Sequence, residues 1–321
     1  MNGLYTEVRG SGPTLVLLHG WGLNVRVWDG LAATLCDRFR IITVDLPGHG
    51  RSPWLPERSS LTGQAAQVEE AIGAISEEYS LLGWSLGGQI ALQLAAEQQT
   101  ARAVSSLRAA GSAGAAGSAS ATGDAGEAGA RHSGAAAALK RLVLIATTPR
   151  FVAGPDWPQG SPPERLAAQV EALKTDYRQT VSDFLELQVR GSAGGAEALQ
   201  HLRGALFAHG IQPVLARNAG ESQERLDPQC GALGPLPAAL VRDLELLRDN
   251  DLRPLLGNID LPALVIAGQY DRVTHPAASH ALADGLPNAR YVEIRRAAHA
   301  PFLSHLPQLS ALIAHFLLQP P

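Results

Sequence analysis

The stretch "LLGWSLGGQI", residues 81–90, decides how the chain reads: an apolar run ends in one serine between glycines at 83, 87 and 88, and a helical pattern follows. Glycine weakens both strand and helix, so three of them at this junction mark a place where Cβ atoms would collide. Gly83-Trp84-Ser85-Leu86-Gly87 fits G-x-S-x-G, the strand-to-helix turn that exposes a serine hydroxyl over a helix N-terminus. In that context Ser85 is the expected nucleophile, with an ordinary glycine-rich turn as the plainer alternative.

Outward from this turn, short apolar runs recur at TLVLLHG (14–20), RIITVDL (40–46), YSLLGW (79–84), RLVLIAT (141–147), ALVIAGQYD (263–271) and YVEI (291–294). Most are uninterrupted, as strands covered on both faces of a mostly parallel sheet should be. Helical patterns at 61–75, 86–98 and 306–318 lie between or after them, so the expected class is α/β with a doubly wound sheet.

Two regions break the alternation. Residues 101–138 hold 16 Ala, 7 Gly and 6 Ser without apolar periodicity, a composition that predicts a disordered surface insertion. Residues 150–256 are mainly helical in pattern. Leu166, Val170, Leu173, Tyr177, Val181, Phe184, Leu185 and Val189 recur every three or four positions, which predicts an amphipathic helix or helix pair. Further helix is expected near 196–208 and 236–249, separated by the loop ESQERLDPQCGALGPLP. The expected organisation is a core of 1–149 and 257–321 with a helical lid over 150–256.

Composition removes several function classes. Twenty-six Lys and Arg against 30 Asp and Glu give a net charge of −4, so no global basic field invites nucleic acid or an anionic membrane. Cys36 and Cys230 have no metal-like or disulfide-framework spacing, which favours a reducing, cytoplasmic setting. The start MNGLYTEVRGSG lacks a signal-peptide pattern, and no apolar run reaches the roughly eighteen residues of a membrane span. No phosphate loop, HExxH or metal-ligand cluster occurs, so neither metal nor cofactor is expected.

A serine hydroxyl needs a base, and the base an orienting acid. In this architecture they follow the serine as acid and then histidine. Asp271 closes LVIAGQYD at the carboxyl end of a predicted strand, where ligands gather in parallel sheets, whereas Asp260 precedes that strand and Asp45 precedes Ser85. His299 follows YVEI within RRAAHAPFLSH and is the expected base. His275 and His280 lie too near Asp271, and His305 and His315 belong to the final helical region.

The developing oxyanion needs backbone N–H donors. Leu86, directly after the serine, supplies one, and Trp21 in HGWGLNVRVW (19–28) the other; His19 and Gly20 are expected to shape that loop. Trp21, Trp84 and Phe184 together suggest an apolar channel for an acyl chain, with core packing as the alternative for each. DLPGHGRS (45–52) is expected to stabilise the neighbouring loops.

The combination of "HGWGLNVRVW", "DLPGHGRS", "GWSLGGQIAL", "PRFVAGPDWP", "DYRQTVSDFLELQ" and "AAHAPFLSHLPQ" resembles the α/β-hydrolase superfamily and, more narrowly, the BioH-type pimeloyl-(acyl-carrier protein) methyl ester esterases of biotin synthesis. The resemblance covers most of the chain apart from 101–138 and about 221–235. It implies an α/β-hydrolase fold with an inserted helical lid and hydrolysis of the pimeloyl-carrier methyl ester by Ser85, Asp271 and His299. Trp21, Trp84, Leu86 and Phe184 would line the substrate site, and the acyl-carrier protein would be the partner of a monomer. Family members hold that acidic carrier partly through lid arginines. Here Arg165, Lys174, Arg178, Arg190 and Arg203 are mixed with Glu171, Asp176, Asp183 and Glu186. A general short-acyl carboxylesterase or a carbon–carbon bond hydrolase would share the triad, and a non-enzymatic binding module would keep only the fold. A haloalkane dehalogenase would need Asp where Ser85 stands.

Overall fold

The computed structural model describes residues 3–113, 137–207 and 235–320. Within them, β1 (Thr6–Arg9), β2 (Thr14–Leu18), β3 (Arg40–Val44), β4 (Glu78–Trp84), β5 (Ala138–Ile145), β6 (Ala263–Gly268) and β7 (Ala289–Ile294) form one sheet. Its order is β1-β3-β2-β4-β5-β6-β7, and only the β1–β3 pairing is antiparallel. Every residue of β6 and the last four of β2, β4 and β5 are buried, which requires cover on both faces of the sheet. Each fully buried Leu or Ile in such a layer contributes about 1.5–3 kcal/mol of apolar burial. β1 is short and half exposed because it closes the sheet's edge.

The helices are α1 (Asp29–Leu35), α2 (Leu61–Gly73), α3 (Leu86–Ala113), α4 (Pro163–Thr175), α5 (Tyr177–Val189), α6 (Gly195–Phe207), α7 (Pro235–Asp249), α8 (Arg253–Leu256), α9 (Pro276–Gly285), α10 (Pro301–Ser304) and α11 (Leu306–Leu318). α1 packs with α11 and α2 with α3, while α4 to α7 form the inserted helical region between β5 and β6. Asp176 divides α4 from α5: its backbone leaves the helical range at φ −148, and its carboxylate accepts from Gln179 N at 3.0 Å to cap α5. Leu166 and Leu173 of α4 and Val181, Leu185 and Val189 of α5 then face the core.

One expectation changes here. The irregular insertion was expected from residue 101, but α3 runs on to Ala113. Alanine is the strongest helix former, and no glycine intervenes between Gly88 and Gly111, so the helix outlasts its apolar stripe and leaves Leu107 73% exposed. The remainder of that stretch, 114–136, and loop residues 221–234 lie outside the described residues. Among the described residues no helix is long and apolar enough to cross a membrane.

Candidate active site

β4 is the middle strand of the sheet, and Ser85 stands between its end and the start of α3. Its φ of 55° lies in the left-handed region, a strained conformation for a residue with a Cβ, costing about 1–3 kcal/mol. The surroundings hold it there. Ser85 N donates to Ile145 O at 3.0 Å, and Ser85 O accepts from Gly88 N at 2.9 Å and Thr147 Oγ1 at 2.7 Å. A Cβ on Gly83 would come within 2.6 Å of Gly88 Cα, one on Gly87 within 2.5 Å of the carbonyl oxygens of both Leu18 and His19, and one on Gly88 within 2.6 Å of Thr147 Cβ. The three glycines are thus required by backbone and side-chain neighbours packed against the turn.

Asp271 and His299 come together from the loops after β6 and β7. Asp271 Oδ2 lies 2.8 Å from His299 Nδ1, and both side chains are buried. The other carboxylate oxygen accepts from Val273 N at 2.8 Å and Thr274 N at 2.9 Å. This fixes the carboxylate as an acceptor, so Nδ1 carries the imidazole proton and Nε2 offers a lone pair. Nε2 is buried and makes no hydrogen bond in the structure, to Ser85 Oγ or to any other described group. The backbone of His299 is tied at both ends: its N donates to Gln188 O at 2.9 Å, and its O accepts from Trp84 Nε1 at 2.9 Å. The histidine is therefore anchored to α5 and to the residue before the serine.

The remaining acids and histidines occupy other places. Asp260 bonds to Asn288 at the opposite end of β6. Asp45 accepts from Val25 N at 2.7 Å and Arg51 N at 2.8 Å, holding the loops after β2 and β3. His275 caps α9, His280 pairs with Asp284, His305 meets Ser304 and His315 meets Gln319.

The loop after β2 runs against the serine because Gly20 lets it. A Cβ there would sit 3.3 Å from Ser85 Cβ and 3.2 Å from Trp84 Cε3. Neither Trp21 N nor Leu86 N donates to a protein acceptor among the described residues, so both remain available for an oxyanion. His19 Nδ1 donates to Gly20 O at 2.8 Å, and its Nε2 accepts from Leu46 N at 3.0 Å. Complete burial pushes His19 down to about 4, keeping it neutral at neutral pH and fully occupied as a loop support.

The aromatic residues separate into two groups. Trp21 and Phe184 meet edge to face at 5.0 Å, and Trp21 Nε1 donates to Leu240 O of α7 at 2.9 Å, so this pair lies between the core loop and α5 and α7. Trp84 differs from the expected channel lining by its neighbours: its indole, as buried as that of Trp21, packs with Phe302 at 4.8 Å, Trp28 at 6.2 Å and His299 at 5.6 Å. The strand geometry turns this side chain into the core, where it supports the histidine.

Several supports had no sequence motif to mark them: Gln188 and Thr147 act through hydrogen bonds to or from backbone groups, and Val273 and Thr274 through their amides. The charges of the inserted helices are largely self-compensated. Lys174 pairs with Glu171 and Arg203 with Glu186, each at 2.7 Å, while Asp183 accepts from Gln179. Arg165, Arg190, Arg272 and Arg296 are exposed and have no carboxylate partner among the described residues. Their segments meet near Tyr270: Arg165 donates to Arg272 O at 3.2 Å, the Gly191 backbone approaches the Tyr270 side chain, and Ala193 N donates to Arg296 O at 3.0 Å.

The family model described as the alpha/beta hydrolase fold matches residues 13–306. The pimeloyl-(acyl-carrier protein) methyl ester esterase of Nitrosomonas europaea is 34% identical over 305 residues, 95% of each chain. The protein of the same name from Chromobacterium violaceum is 35% identical over 303 residues, 94% of this chain and 93% of its own. Among solved structures, an esterase from Exiguobacterium antarcticum superposes with a TM-score of 0.70 at 19% identity, covering 98% of this chain and 95% of that one. The enol-lactonase from Burkholderia xenovorans gives 0.68 at 20% identity, with coverages of 98% and 96%. At these identities the structural likeness is one of fold.

Proposed function

The chain belongs to the alpha/beta hydrolase fold family and is a hydrolase, and on that premise we propose that it is a serine carboxylesterase cleaving the methyl ester of a pimeloyl group carried on acyl-carrier protein, in biotin biosynthesis. The observation that carries the chemistry is the Asp271–His299 pair, with Nδ1 committed to the carboxylate and Nε2 unengaged, in a loop tied to the residue before Ser85. Near-full-length similarity to curated esterases of that specificity supports the substrate.

In the proposed cycle His299 Nε2 takes the proton of Ser85 Oγ as the oxygen attacks the ester carbonyl. Asp271 stabilises the imidazolium, and the amides of Trp21 and Leu86 receive the oxyanion. Collapse expels methoxide, which leaves as methanol with the proton from His299. Water, deprotonated by the same nitrogen, then hydrolyses the acyl-serine to the free pimeloyl carboxylate. Helices α4 to α7 act as a lid in this reading, with Trp21 and Phe184 bounding the acyl channel. The exposed arginines whose segments meet near Tyr270 suit an acidic carrier better than the self-paired charges of α4 to α6. The reading includes a monomer working in the cytoplasm, which sedimentation and fractionation would check.

The test compares wild type and Ser85→Ala on the carrier-bound methyl ester and on a short p-nitrophenyl ester. Preferential, serine-dependent cleavage of the carrier-bound ester is expected. Cleavage of the small ester alone would keep the triad and leave a general short-acyl carboxylesterase or a carbon–carbon bond hydrolase.

A further inference from the structure

Both peptide groups beside Trp21 are gripped by imidazoles. Gly20 C=O shares a peptide plane with Trp21 N–H and accepts from His19 Nδ1, while Gly22 N–H donates to His49 Nε2 at 3.1 Å. His49 Nδ1 faces Pro47 O at 3.1 Å, a carbonyl that only accepts, so Nδ1 holds the proton and Nε2 is an acceptor. Facing Nε2 at 3.6 Å is Asp243 Oδ2, a buried carboxyl oxygen on α7 with no hydrogen-bond partner. Its sister Oδ1 accepts from Gln64 Nε2 of α2 at 2.7 Å.

Two buried acceptors opposed in this way need a proton between them. Placed on His49 Nε2, the proton would displace the Gly22 N–H bond; placed on Asp243, it makes the carboxyl a neutral second donor that shares the Nε2 lone pair with Gly22 N–H at the longer distance of 3.6 Å. We propose that Asp243 is a positioning residue for the reaction, a neutral carboxylic acid that seats α7 on His49 and, through His49 and Gly22, fixes the backbone presenting Trp21 N–H. The inference rests on the esterase reading for the role of that N–H. α7 also holds the Trp21 side chain, through Leu240 O.

The surrounding charges agree with the placement. Burial pushes Asp243 up to about 7 and His49 down to about 3. The groups facing this point are His49, with His19 5.3 Å behind it and Asp45 nearby, the neutral Gln64, and Arg242 of the same helix, which pairs with Glu245 at 3.2 Å. Because the folded value of Asp243 lies above the unfolded one, its stabilisation is complete below the ordinary carboxylate range and is lost as pH rises through about 7.

The experiment follows p-nitrophenyl butyrate hydrolysis and thermal melting for wild type and Asp243→Asn from mildly acidic to alkaline pH. The amide is a permanent donor toward His49 that does not ionise. The ratio of alkaline to acidic kcat should be about 3-fold or more higher in Asp243→Asn, with the wild-type melting temperature falling relative to the variant above neutrality. Superimposable ratios together with a pH-independent melting difference would overturn the proposal. Should the variant fail to fold, infrared spectra of wild type decide: the carbonyl stretch of an un-ionised carboxylic acid is expected to persist near pH 6, and its absence there would overturn the proposal. If wild type leaves the ester untouched, the esterase reading fails, whereas the melting and infrared arms still report on Asp243.

Discussion

The two turns that meet at Ser85 are held in opposite ways. The β4–α3 turn is fixed by atoms that are missing: Gly83, Gly87 and Gly88 let backbones touch where a single methyl group would not fit. The loop after β2 is fixed by added atoms, the imidazoles of His19 and His49, the indole of Trp21 and the carbonyl of Leu240. The glycines of the first device lie within six positions, although Gly87 and Gly88 face Leu18, His19 and Thr147 from distant segments; the second device is built from side chains of distant segments and depends on protonation.

Changes at the first turn should have the largest effects. Ser85→Ala is expected to lower kcat by on the order of 10⁴-fold or more while leaving the thermal midpoint nearly unchanged, because the side chain supplies chemistry and the neighbours supply the conformation. A large loss of stability in that variant would mean that the hydroxyl helps to hold the turn. Gly87→Ala pushes a methyl group into two backbone carbonyls and should cost about 3 kcal/mol in denaturant unfolding. A near-neutral result would break the contrast between the turns.

The second turn should answer to acid. His19 and His49 are held down at about 4 and about 3, below the unfolded histidine value near 6.5. The unfolded chain therefore binds protons that the native loop refuses, and stability should fall by a few kcal/mol as pH drops from about 6.5 towards 4. Asp243 opposes this over the same range because it keeps its proton when folded. His49→Gln should flatten the acid limb, as measured by urea unfolding at several pH values. The smallest effect is expected of Trp21→Phe, which removes the donor to Leu240 O and should cost about 1 kcal/mol, less than a tenfold change in kcat/KM.

The same contrast explains what could be read from sequence. Ser85 and its glycines announce themselves because the steric demand falls within six positions, and Asp271 and His299 follow from their places after predicted strands. The inward turn of Trp84 could not be read, since its neighbours Trp28, His299 and Phe302 converge only in the fold. Nothing in the helical pattern of 236–249 singles out Asp243, whose opposition to His49 arises from segments nearly two hundred residues apart. β1 leaves no mark in the sequence because four half-exposed edge residues carry no apolar run. The extension of α3 could not be read from apolar periodicity, because helix propensity and not burial carries that stretch.

The packing of Trp84 against His299 has an optical consequence. The two rings are 5.6 Å apart, within the roughly 6 Å over which a cation perturbs an aromatic face. Placing a charge on the imidazole should quench the indole, so the emission reports the charge of the base. A Trp84→Phe variant should lack that quenching, which gives the protonation state of His299 a readout that consumes no substrate.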